Sequence, residues 1–396
     1  MKHRNFFIIA TVAACLTSLC ATDLRAQDND IEIKREGKFL GLTPPTPIAI
    51  TGFSGEVAAA LKFDLTVMGF IDVAPEAAKY VLSGANNGNV QGQLSFGKTV
   101  LFSKAYSGAS ARAQAHHLAD DVVLKVTGVN GIAHTQIAFK VDTGAHSEIY
   151  LADFDGWNPQ AVTRDNTIVA APCWVPQRLA MYYTSYKMGA PFIFYQNLST
   201  GERRNFAHYP GGMNSSAAVS PDGKKVAMIL ATSGSPDVYV CDADGNNLKD
   251  LTPTREDESS PCWSPDGQWI CFASKVNERR SLCKVSVNGG PTLRIPTSGV
   301  SNPSEPDWSP DGNWIVFTAQ MGGFEICVVP AKGGIAIPLV AGEDPCWAPN
   351  SRNVIFARRS GENRVLSLLD VPTKQVKDAS RVSGRNAGNS QPSWAR

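Results

Sequence analysis

The chain has 396 residues, a length that suits two domains better than one small core. Charged residues make up 18%, hydrophobic residues 43%, and glycines number 34, a turn-rich globular composition that excludes a disordered chain. The formal net charge is +1 and falls to −1 once Lys2, Arg4 and Arg25 are removed together with Asp23, which excludes the basic excess that grips nucleic acid.

Lys2, His3 and Arg4 give a positive start, Phe6 to Leu19 are almost wholly apolar, and small residues follow up to Ala26. The apolar run is shorter than the roughly 20 residues a membrane span needs, so residues 1–26 read as a cleaved export signal. Val12-Ala13-Ala14-Cys15 also reads as a lipoprotein cleavage box, although a hydrophobic core ending there would be short. No later segment is apolar enough to cross a bilayer, so a soluble chain outside the cytoplasm is expected.

Residues 27–132 read as a small α/β domain. Ile48 to Ile50 is a strand; Val57, Leu61, Leu65 and Met68 recur at helical spacing and stop at Gly69. Phe70 to Val73, Tyr80 to Leu82, Leu94 to Phe96 and Val100 to Phe102 read as strands. A second helix carries Ala111, Ala115, Leu118, Ala119, Val122 and Val126 on one face and stops at Gly128.

From residue 133 the chain repeats. Pro261-Cys262-Trp263-Ser264-Pro265-Asp266-Gly267 and Pro306-Asp307-Trp308-Ser309-Pro310-Asp311-Gly312 are strong copies; weaker ones centre on Trp174, Val219, Trp347 and Trp394. These markers are spaced by 45, 44, 45, 39 and 47 residues. In each unit the Pro-x-Trp run is a short strand, and Ser-Pro-Asp-Gly is a tight turn in which proline presets φ and glycine takes a positive one. Alternating strands follow, separated by turns such as Asp242-Ala243-Asp244-Gly245. Four antiparallel strands per unit make a propeller blade. Residues 137–163 lack a first strand and residues 391–396 supply one, so a six-bladed β-propeller over 133–396, closed by 391–396, is expected.

Chemical motifs are few. No Gly-x-Ser-x-Gly elbow, His-Glu-x-x-His or phosphate-binding glycine loop occurs, so no catalytic, cofactor or metal residues are assigned. His116 and His117 are adjacent on a helix and point apart. Asp242-x-Asp244-Gly245-x-Asn247 resembles a calcium loop but lacks its sixth-position glycine and distant glutamate. Beyond the signal the seven cysteines are an odd number. Cys173, Cys262 and Cys346 share one blade position on alternate blades and read as small buried core residues too far apart to bridge. Cys271 and Cys283, on neighbouring strands, are the pair that could face each other.

Pro47-Ile48-Ala49-Ile50, Gly52-Phe53-Ser54-Gly55, Ala115-His116-His117-Leu118-Ala119-Asp120 and Leu124 to Ile132, together with the blade repeat, resemble the TolB family of periplasmic propellers. The resemblance implies a periplasmic, monomeric, non-enzymatic adaptor in the Tol–Pal system, active in outer-membrane integrity and cell division. It implies two partners. A Pal-like peptidoglycan-associated lipoprotein would bind the propeller mouth, on the links entering each Pro-x-Trp strand: Met213, Asn214, Ser215, Ser216, Asp257, Glu258, Ser259, Ser260, Glu305, Glu343 and Asp344. An inner-membrane TolA-like protein would bind the N-terminus at Gln27, Asp28, Ile31, Glu32, Ile33 and Lys34, an alternating stretch suited to strand addition. The alternative is a propeller that holds a small ligand or sugar, or a hydrolase-related one.

Overall fold

A computed structural model describes residues 43–108, 110–209, 212–232, 234–379, 382 and 387–396. The signal segment 1–26, Cys15 and the N-terminal residues Gln27 to Lys34 lie outside the described residues.

The front domain has five strands: β1 (Thr46–Thr51), β2 (Phe70–Asp72), β3 (Tyr80–Ala85), β4 (Val90–Phe96) and β5 (Thr99–Tyr106), in the order β2-β1-β3-β4-β5. β1 runs parallel to β2 and β3, and the β3-β4-β5 meander is antiparallel. Helices α1 (Gly55–Val67) and α2 (Ala111–Thr127) bury Leu61, Leu65, Leu118 and Val122 against Ile48, Leu82 and Leu94. The Ser110 hydroxyl caps α2 by accepting from Ala113 N–H at 3.1 Å.

Six four-stranded sheets follow, and we number the blades in chain order. Blade 1 combines Gln136–Asp142, Ser147–Asp153 and Gln160–Ala161 with the last strand, Gly388–Trp394, which pairs antiparallel with Gln136–Asp142. Blades 2 to 6 start at Val169, Asn214, Asp257, Ser304 and Glu343. Each Ser-Pro-Asp-Gly turn is locked the same way. The Ser264 hydroxyl receives Trp269 N–H at 2.9 Å and donates to Asp266, and Gly267 sits at φ 68°, where a side chain would be strained. Ser309, Asp311 and Gly312 repeat the arrangement. Two of the tryptophans stitch blades together: Trp263 Nε1 donates to Ala218 O at 2.8 Å and Trp174 Nε1 to Ser393 O at 3.1 Å, each in the inner strand of the preceding blade.

One core runs through both domains. Leu61, Leu65, Met68 and Val122 share a cluster with Ile137 and Phe154 of blade 1 and Ile355, Leu366 and Leu368 of blade 6. Gly69 lies at φ 87°, and a Cβ there would stand 2.1 Å from Arg352 Nη2, which Asp370 holds in place. Asn353 Nδ2 donates to Val67 O at 2.8 Å. The front domain therefore sits at the Ser-Pro-Asp-Gly end of the propeller, beside blades 1 and 6. A continuous buried core of this kind binds the domains more tightly than an ordinary polar interface.

Two expectations about cysteine need correction, one on register and one on exposure. Cys283 pairs with Phe272, whereas Cys271 pairs with Lys284 and Cys262. Paired residues share a sheet face and neighbours along a strand alternate, so Cys271 and Cys283 point to opposite faces and cannot meet. They belong to different core clusters. Cys262 is buried, but Cys173 and Cys346 are only half-buried and line the central channel.

Candidate partner-binding face

The inner strands share a feature that no sequence copy of the repeat reveals. In each of the six, register slips by a bulge just before the marker position. The bulged residues are Ala171, Ser216, Ser260, Glu305, Asp344 and Gln391, with φ between 49° and 55°. A left-handed non-glycine residue costs roughly 1 kcal/mol, and a bulge kinks the strand and re-aims its side chains. Here all six line the axial channel, a cavity of about 550 Å³.

Blade-to-blade hydrogen bonds hold part of this ring. Glu305 Oε2 accepts from Asp344 N–H at 3.0 Å, Asp344 Oδ2 from Gln391 N–H at 3.1 Å, and Gln391 Oε1 from Ala171 N–H at 2.9 Å. The Thr318 hydroxyl also donates to Glu305 Oε2, at 2.7 Å. Burial, followed by the facing Glu305 carboxylate, raises Asp344 to about 7. Across the channel Ala171, Ser216 and Ser260 are short, so the mouth is acidic and crowded on one side, neutral and open on the other. Deeper in, Arg396 ion-pairs with Asp307 and donates to Trp347 O at 3.0 Å. Burial of its sulfur against the channel wall pushes the nearby Cys346 thiol up to about 12.

The rim residues do not sit as expected. All but Met213, which stays in the preceding link, belong to the first strands themselves, because the inner strand continues through the bulge. Met213 and Asp257 are exposed; Ser215, Ser216, Ser259, Ser260, Glu305, Glu343 and Asp344 are half-buried. Asn214 and Glu258 are buried and face inward. Asn214 holds both polar atoms of the Tyr209 backbone, at 2.8 and 3.1 Å. Glu258, 3% exposed, accepts from Ser274 Oγ at 3.0 Å. Burial is the main cause that raises its carboxyl to about 8, with the nearby Asp237 and Glu256 carboxylates adding to it. Charge reversal at Glu258 would therefore test folding, whereas Asp257 remains a surface probe.

Large apolar side chains also stand exposed at this end, a feature the repeat pattern does not mark. Met188 is 59% exposed and Phe324 52%, with Ile168, Tyr186, Val276 and Met321 also standing into solvent. Tyr186, Met188 and Met321 lie in the links between second and third strands, and Val276 and Phe324 at the strand ends beside them; these links return to the mouth beside the entering links, where Tyr186 N–H donates to Ile168 O at 2.9 Å. The legible signal was a large apolar residue inside a link, as in Lys187-Met188-Gly189 and Gln320-Met321-Gly322. Large apolar side chains exposed on a rigid rim are a feature that protein-binding surfaces share.

A family model described as the TolB beta propeller domain matches residues 123–396. The chain belongs to the TolB propeller family. Curated relatives include the Tol-Pal system protein TolB of Bordetella pertussis, 32% identical over 189 residues, and that of Bordetella parapertussis, 31% identical over the same length. Each match covers 47% of this chain and 43% of the relative, so the chain spans under half the length of the curated relatives it matches. Among solved structures, TolB from Acinetobacter baumannii superposes with a TM-score of 0.79 at 22% identity, over 89% of this chain and 97% of that one. A putative TolB from Agrobacterium tumefaciens gives 0.53 at 16% identity, over 66% and 99%. At these identities the structures speak for the fold, a six-bladed TolB-like propeller behind an α/β domain.

Proposed function

We infer that this chain is a periplasmic, non-enzymatic adaptor of a Tol–Pal envelope system that serves outer-membrane integrity and cell division. Its propeller mouth binds a Pal-like peptidoglycan-associated lipoprotein. The observation that carries this reading is the exposed apolar rim around the bulged ring, at the end of the propeller that the front domain leaves free. Family membership supplies the system, and the Tol-Pal names of the curated relatives agree with it. The stretch Gln27 to Lys34 is the proposed contact for a TolA-like inner-membrane protein, through strand addition. Among the described residues no helix is long and apolar enough to cross a membrane.

The test is capture from envelope extract. Wild type and Asp244→Lys, a change in an exposed turn at the opposite end, should each recover a small peptidoglycan-binding lipoprotein; a Met188→Ser/Phe324→Ser/Asp257→Lys variant should lose it. Equal recovery by all three would reject the mouth as the site. A bound small molecule in the channel with no captured protein would favour the ligand-binding alternative, for which a cavity of about 550 Å³ is large enough.

A further inference from the structure

Where the front domain meets the propeller, ionisable side chains from three elements converge out of solvent. His116 of α2 is 4% exposed; Asp64 of α1 and Asp155, in the turn after the third strand of blade 1, are fully buried. His116 Nδ1 lies 2.7 Å from Asp64 Oδ2, and Nε2 lies 3.9 Å from Asp155 Oδ2. Arg112, four residues before His116 on the same helix, ion-pairs with Asp155 and stacks on Trp157 at 4.5 Å. Glu56, at the more exposed edge, stands 3.8 Å from Arg112, and Asp120 is a further carboxylate felt at Asp64. Phe154 packs edge-on against the imidazole at 5.6 Å.

The charges do not balance without a proton. Asp64 and Asp155 carry two buried negative charges, and Arg112 supplies one positive charge. A buried charge left uncompensated is strongly disfavoured. Asp64 Oδ1, His116 Nε2 and Arg112 Nε have no hydrogen-bond partner. Arg112 already occupies the Asp155 oxygen that faces His116, so a metal would have to displace a guanidinium, whereas a proton on His116 needs no room.

We propose that His116 is a proton-operated clasp between the front domain and blade 1. Protonated, it donates one N–H to Asp64 and faces Asp155 with its second nitrogen at ion-pair distance, joining α1, α2 and the propeller turn through one ring. Deprotonated, it leaves a buried negative charge at the joint, its hold on Asp64 and Asp155 is lost, and Arg112, freed of a neighbouring cation, resettles on Asp155.

The titration directions agree with this geometry. At His116 burial disfavours the charged form, but the hydrogen bond and charge of Asp64 outweigh it and raise the group above 6.5. At Asp64 burial dominates and raises the carboxyl to about 6. Both groups hold protons more tightly folded than unfolded. The Asp64 contribution is complete below 3.8 and is lost as pH rises through about 6, whereas the His116 contribution is complete below 6.5 and is lost as pH rises through its raised value.

Trp157 provides a built-in probe, because its ring lies on Arg112. Fluorine NMR of the full chain labelled with 5-fluorotryptophan, with the Trp157 signal assigned from Trp157→Phe, is followed from pH 5 to 9 alongside the His116 ring proton. The two signals should titrate together with a midpoint above 6.5, and His116→Asn should abolish the Trp157 step. Should His116→Asn fail to fold, Asp64→Asn keeps the imidazole and should move the shared midpoint down. A His116 midpoint at or below 6.5, a Trp157 signal that ignores it, or a step that survives His116→Asn would each overturn the proposal.

Discussion

Replacing Glu258 by glutamine should stabilise the folded chain at and above neutral pH and leave it nearly unchanged in mild acid. Glu258 is 3% exposed, with one carboxyl oxygen accepting from Ser274 and Asp237 close by. Its carboxyl is raised from 4.5 to about 8, with burial as the first cause. The folded chain therefore takes up a proton there that the unfolded chain releases above 4.5. The stability carried by that proton is complete below 4.5 and is lost as pH rises through about 8. At 1.4 kcal/mol per unit, roughly 2.5 units between the unfolded value and pH 7 amount to about 3 kcal/mol. Glutamine keeps the shape and the Ser274 bond and carries no proton to lose. Urea unfolding of both proteins at pH 5, 7 and 9 reads the difference directly. The two stability profiles should diverge by a few kcal/mol as pH rises. Parallel profiles would show that Glu258 is not held protonated and that the rim at blade 4 is wetter than its burial implies.

Two further outcomes follow from packing. Trp394→Ala removes a side chain 2% exposed that donates to Thr135 Oγ1 at 2.7 Å, in the strand that closes the ring. It should cost about 3–5 kcal/mol, read as a drop in the urea midpoint, because ring closure and a buried aromatic are lost together. Gly69→Ala places a methyl on Arg352 at a backbone φ of 87°. The expected loss is about 1–3 kcal/mol, with the Arg352–Asp370 pair displaced in a crystal structure of the variant; full stability would mean that the front domain is not seated as closely on blade 6 as described.

Local chemistry was legible in the sequence. The Ser-Pro-Asp-Gly turns, the tryptophan markers and the alternating strands each depend on a handful of neighbouring residues, so six blades could be counted, and both front-domain helices begin and end within a residue or so of their sequence signals. The terminal Pro-x-Trp copy pointed to ring closure because it was a first strand without a blade of its own. What depends on pairing across strands was not legible. Register alone sends Cys271 and Cys283 to opposite faces, since a slip of one residue reverses every side chain. The six bulges place Ala171, Ser216, Ser260, Glu305, Asp344 and Gln391 in one ring, although no sequence rule marks those residues for positive φ. Glu258 and Asp257 look alike in the chain, yet the pleat turns one into the blade and the other into water. The His116 cluster was likewise invisible, because Asp64, His116 and Asp155 stand far apart in sequence and meet only once the front domain docks on blade 1.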